Sequence, residues 1–128
     1  MKKIIGVIIA VSALALSACG SSSFTTQSAD EFAKTISDST VVVLDVRTPG
    51  EFASGHIAQA INIDVEGGAF EQQIASLDKS KTYAVYCHSG RRSANAAKIM
   101  SKAGFTSLYN LDGGVTAWAN AGQQLVAQ

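Results

Sequence analysis

Apolar residues are spaced differently in different stretches of this chain, and the spacing divides it into elements. "VVVLDV" (41–46) is a nearly unbroken β-branched run, the mark of a strand covered on both faces. "TYAVY" (82–86), "TSLYNL" (106–111) and the short "AINI" (60–63) are further strand candidates. Between them the spacing lengthens to that of helices. "SADEFAKTI" carries a capping box, Ser28 with Glu31, ahead of Phe32 and Ile36. "TPGEF" has a second, Thr48 with Glu51, around Pro49 at the first helical position. "FEQQIASL" (70–77) aligns Phe70, Ile74 and Leu77 on one face. "SANAAKIMSKAG" is a helix stopped by Gly104, and "GGVTAWANAG" a closing helix. Strand and helix alternate with a single proline and no internal repeat, which predicts an α/β domain around a mainly parallel sheet.

The first residues follow another pattern. Lys2 and Lys3 precede an apolar run from Ile4 to Ala18, as in a secretory leader. That run is shorter than the roughly 20 residues of a membrane-spanning helix. "LSAC" (16–19) resembles a bacterial lipobox, in which the cysteine is acylated and the residues before it are removed. The resemblance implies a signal peptide at 1–18, a lipidated Cys19 with a serine-rich tether at 19–23, and a folded domain at 24–128. Two or more acyl chains suffice for stable attachment. A signal anchor, or a cleaved leader leaving Cys19 as a free thiol, is the competing reading. Gly20 is not the aspartate that retains enterobacterial lipoproteins in the inner membrane. The expected location is therefore the periplasmic face of an outer membrane, or the cell surface.

Acidic and basic residues balance at ten each over 128 residues, and losing Lys2 and Lys3 leaves the domain slightly acidic. No basic patch stands out, so nucleic acid is not an expected partner. With Cys19 acylated, Cys87 is the sole free thiol and no internal disulfide can form. Exported chains seldom keep an unpaired thiol without a use for it.

Cys87 closes a predicted strand and precedes a predicted helix, the sheet edge where open α/β folds place their ligands. In "CHSGRRS" (87–93) Gly90 allows a tight turn, and the helix start offers unpaired N–H groups. Such a loop would aim amides at the sulfur and, with Arg91 or Arg92 close by, favour the thiolate. The bland alternative is an inert buried cysteine. The loop chemistry suggests nucleophilic attack by sulfur on an anion.

From about Phe24 to Leu125 the chain resembles the rhodanese (thiosulfate sulfurtransferase) family in its single-domain form. "LDVRTPGEFASGHIAQAINI", "CHSGRRS" and "LDGGVTAW", in that order, carry the likeness. It implies a five-stranded, mainly parallel sheet flanked by helices on both faces. It also implies transfer of a sulfane sulfur from a donor such as thiosulfate, through a Cys87 persulfide, to cyanide or a thiol, with no metal or organic cofactor. Cysteine-dependent phosphatases and some arsenate reductases place five residues between cysteine and arginine. Four separate Cys87 from Arg92 here, and the resemblance implies the smaller pocket of sulfurtransferases.

Carried onto this chain, Cys87 is the nucleophile and the amides of His88, Ser89, Gly90, Arg91 and Arg92 form the cradle. Arg91 or Arg92 attracts the small anionic donor, unless Arg92 mainly braces the loop through Asp45. The His88 side chain is expected in solvent. Asp45 and Arg47 are expected as scaffold, His56 as a structural hydrogen-bond partner, Trp118 as core, and Asp112–Gly114 as a tight turn. The competing class is a module that docks a protein sulfur acceptor and carries persulfide without fast turnover. The membrane enters as a partner only through the lipid. Replacing Cys19 by alanine should release a soluble form or block processing, read by membrane fractionation; unchanged attachment would indicate a signal anchor.

Overall fold

The computed structural model describes residues 23–127, so the leader, Cys19 and most of the tether lie outside the described residues. Five strands form one parallel sheet. They are β1 (Thr25–Gln27), β2 (Val42–Asp45), β3 (Ile61–Asn62), β4 (Thr82–Tyr86) and β5 (Ser107–Leu111), in spatial order β1-β5-β4-β2-β3. The helices are α1 (Ala29–Ile36), α2 (Pro49–Ser54), α3 (Phe70–Ile74), α4 (Arg91–Lys102) and α5 (Gly114–Asn120). Among the described residues no helix is long and apolar enough to cross a membrane.

Strand alternation sorts the core into two layers. Tyr83, Val85 and Cys87 face the layer built with Phe70 and Ile74 of α3 and Ala96 and Met100 of α4. Ala84 and Tyr86 face the other, with Ala29 and Phe32 of α1 and Val115 and Trp118 of α5. The sheet thus has helices on both faces, as expected. The sulfur lies on the α4 side because Cys87 continues the alternation of β4.

Both capping boxes form. Ser28 and Glu31 close the start of α1, and Thr48 and Glu51 that of α2, each by reciprocal side-chain and backbone bonds. The structure corrects the sequence reading in three places. Thr25–Gln27 is a strand that the apolar pattern does not reveal, since it is a short polar edge paired only with β5. The helix expected over 70–77 stops at Ile74, and Leu77 instead leads into the turn opening β4. The fourth helix begins at Arg91, so both arginines occupy its first turn rather than the loop.

Trp118 is core, as expected. Its ring meets Phe32 edge-on with centroids 6.1 Å apart, and its indole N–H donates to the Gln124 carbonyl at 3.0 Å. Phe32 is completely buried between the first and last helices. Phe32→Ala should lower unfolding stability by about 3–5 kcal/mol, a cavity-forming loss measurable by denaturant titration; a loss below about 1 kcal/mol would mean that this layer collapses freely around the gap.

Candidate active site

The turn from β4 into α4 wraps the Cys87 sulfur. Gly90, at φ 100°, takes the left-handed conformation that a side chain resists, and serves as N-cap of α4. Its N–H donates to Cys87 Sγ at 3.0 Å. Ser93 Oγ stands 3.3 Å from Sγ and 3.2 Å from the Gly90 carbonyl oxygen. It has one proton, which a thiolate attracts more strongly than a neutral carbonyl does. Burial raises the cost of charging the sulfur. The Ser93 hydroxyl and the N–H groups of Ser93, Gly90 and Ser89 outweigh that cost and hold the thiol below its ordinary value.

The loop is held from behind by α5. The Cys87 carbonyl accepts from Val115 N–H at 3.0 Å, and the His88 carbonyl from Thr116 N–H at 3.3 Å. Gly114 makes this approach possible. A Cβ there would lie 2.4 Å from the His88 carbonyl and 2.5 Å from the Cys87 carbonyl oxygen. The turn expected at Asp112–Gly114 is present, with Gly113 and Gly114 both at positive φ. Ser89 N–H shares its peptide with the His88 carbonyl, so drawing that carbonyl toward α5 turns this N–H toward the sulfur.

Arg92 departs from the expected partner. Its guanidinium takes Glu51 in a two-pronged bond, Nη1 to Oε1 at 2.8 Å and Nη2 to Oε2 at 2.9 Å, and does not brace the loop through Asp45. Asp45 is already engaged by Arg47, in a fully buried pair closed at 2.7 Å. Burial works against the Arg47 charge, but Asp45 more than compensates and raises its pKa. Arg47 also donates to the Gly55 carbonyl at 2.6 Å and lies over the Tyr86 ring. These contacts make the Asp45–Arg47 motif scaffold. Glu51, linked to Arg92 and Thr48, is held down to about 2. That value is below the unfolded carboxyl's, so the stabilisation is complete above about pH 4.5 and disappears as pH falls through about 2. The pair is partly exposed, and its net contribution is modest.

The His88 and Arg91 side chains stand in solvent, and so does Ser89. His56 is buried. Its Nδ1 lies 2.9 Å from the Phe52 carbonyl oxygen and its ring stacks on Phe52, which makes it the structural residue expected. Cys87 itself has no exposed surface, so a reactant reaches the sulfur only when flanking atoms move. A shallow cavity of about 350 Å³ opens beside the loop, lined by Arg47, Glu51, Ser54, Gly55, His88, Val115 and Leu125. Among the described residues no cluster of three or more His, Cys, Asp or Glu side chains is placed to hold a metal.

Comparison with known proteins decides the family. The rhodanese-like domain family matches residues 28–121. The chain belongs to the rhodanese-like family. A thiosulfate sulfurtransferase of Shewanella oneidensis is 34% identical over 100 residues, covering 78% of this chain and 97% of that protein. A sulfurtransferase of Allochromatium vinosum is 33% identical over 87 residues, 68% of this chain and 79% of that one. Among solved structures, a rhodanese-related protein from Thermoplasma volcanium superposes with a TM-score of 0.72 at 32% identity, over 81% of this chain and 99% of that one. Rhodanese-like architecture and kinship with sulfurtransferases are thus established.

Ser93 and Glu51 are members of this site that the sequence alone does not mark. Ser93 leads the buried stripe Ala96, Ala97 and Met100 on α4, and a lone hydroxyl on such a stripe was the available signal. Ser93→Ala should move the titration of Cys87 upward, read as iodoacetamide alkylation rate against pH. An unchanged profile would leave the amides as the only stabilisers of the thiolate.

Proposed function

We propose that this domain moves a sulfane sulfur from an anionic donor such as thiosulfate to a thiophilic acceptor, with Cys87 as carrier. The observation behind this reading is the Cys87 sulfur under Gly90 N–H at 3.0 Å and Ser93 Oγ at 3.3 Å, with its thiol held below the ordinary value. The thiolate attacks the outer sulfur of thiosulfate. A Cys87 S–S bond forms as the donor's S–S bond breaks, and sulfite leaves with the bonding pair. The persulfide's outer sulfur carries negative charge, which the same N–H and O–H donors and the start of α4 stabilise. Cyanide or a thiolate then attacks that sulfur, and Cys87 departs as thiolate with no external oxidant or reductant consumed.

The four-residue spacing and the engagement of Arg92 by Glu51 weigh against phosphate-monoester hydrolysis, which needs a free arginine fork to clamp the phosphoryl oxygens. The competing reading is a carrier that passes persulfide to a docked protein thiol with little turnover on small acceptors. With the lipobox-like leader, the proposal extends to a lipid-anchored sulfurtransferase on the periplasmic side of an outer membrane or at a cell surface. Incubation with thiosulfate should leave one extra sulfur atom on the intact protein, detected by mass, and cyanide should remove it as thiocyanate. Cys87→Ser should abolish both while the fold persists. Sulfurtransfer remaining in a folded variant would overturn the persulfide route, and sulfur retained but discharged only to a protein thiol would favour the carrier.

A further inference from the structure

All strands run parallel, so the sheet has one edge where they begin and another where they end. Cys87 follows β4 at the ending edge. Ser23, two residues before β1, lies at the other. Its N–H donates to Ser101 Oγ at 3.0 Å, beside the end of α4. Four residue steps separate Ser23 from Cys19, at most about 14 Å of extended chain. A lipid on Cys19 would therefore hold the beginning edge close to a bilayer, with Cys87 on the far side of the sheet.

That edge also gathers lysines. The helices α1 and α4 return against the strand direction and bring Lys34 and Lys102 to it, and the turn into β4 adds Lys79 and Lys81. All are exposed, and none is in an ion pair among the described residues. Lys79 and Lys102 border a groove of about 500 Å³ between α3 and α4, floored by Ile74, Ile99 and Phe105. Three acids share this edge: Asp38 and Asp78, whose hydrogen bonds from Thr40 and Ser80 keep them ionised, and Glu71 on the groove's flank, so the four lysines are in excess by a single charge. At the opposite edge acids lead: Asp30, Glu31, Glu51, Asp64, Glu66 and Asp112 outnumber Arg91 and Arg92, while Asp45 and Arg47 cancel. Without Lys2 and Lys3 the domain has eight basic and ten acidic residues, and its charge is polarised along the strands, positive at the tether and negative at the site.

We propose that the strand-starting edge, with Lys34, Lys79, Lys81 and Lys102, is a docking surface for anionic phospholipid headgroups that turns the Cys87 edge toward water. Short tether and basic edge act together: the first brings the edge within reach of the headgroups, and the second selects this face among those the tether allows. The proposal rests on the reading of Cys19 as lipidated.

The test uses the acylated full chain on the outer leaflet of phosphatidylcholine vesicles containing phosphatidylglycerol. Amine acetylation is mapped lysine by lysine and compared with the same chain in neutral detergent. The four edge lysines should react several-fold more slowly on the vesicles, with Lys98, midway along α4, little changed and Cys87 alkylation unaffected. Omitting phosphatidylglycerol should shrink the protection. Lys79→Glu combined with Lys102→Glu should strip it from Lys34 and Lys81 while the chain still floats with the vesicles. Equal labelling of all lysines on a floating, acylated chain would overturn the proposal, as would vesicle protection of Cys87. A chain lacking acyl mass would instead refute the anchor, and this orientation would fall with it.

Discussion

The peptide between Cys87 and His88 is fixed from behind, and the candidate site depends on that. Two carbonyl groups in succession accept from the first N–H groups of α5, and Gly114 leaves no side chain in the way. A loop whose carbonyls are committed on one side presents its amides on the other. The sulfur thus gains N–H donors that the fold has already oriented, so little reorganisation is needed when charge develops. Ser93 adds a hydroxyl from the first turn of α4, and Gly90 supplies the positive φ that lets the chain enter that helix so abruptly. The Asp45–Arg47 pair and the Glu51–Arg92 pair brace the surroundings. One is buried; the other is partly exposed.

This arrangement bears on how a fully covered cysteine can react. Glu51 is the N3 residue of a capping box and the partner of Arg92 at once, so α2 is tied to the first turn of α4 by a link that water can reach. Breaking an exposed pair costs little compared with breaking a buried one. Glu51 and Glu66 beside Arg92 offset its positive charge near the loop. Backbone dipoles rather than net positive charge are left to favour the anion at the sulfur.

Much of the fold was legible because it rests on local periodicity. The interior strands β2, β4 and β5 announce themselves as apolar runs, and Ser28, Thr48 and Gly104 mark helix ends by short-range chemistry. The first strand was not legible from its own residues: Thr25–Gln27 is polar and becomes a strand only by pairing with β5, more than eighty residues away. Cys87 could be singled out because its scarcity, its place after a strand and its loop agree. The partner of Arg92 could not. Glu51 has a complete local explanation as a helix cap, which hides its second bond 41 residues along the chain. Asp45 is the motif acid expected to meet Arg92, yet Arg47, two residues on, already holds it. Long-range ion pairs between residues that each have a sufficient local role leave no trace in one sequence.

Gly114→Ala tests most directly whether the clamped backbone holds the Cys87 thiol below its ordinary value. A methyl group there cannot coexist with the Cys87 and His88 carbonyls in their present places. Thiolate absorbance against pH, with circular dichroism to follow the fold, should show the Cys87 titration moving up toward that of an ordinary thiol in a folded protein. A folded Gly114→Ala variant with the wild-type titration would contradict the account.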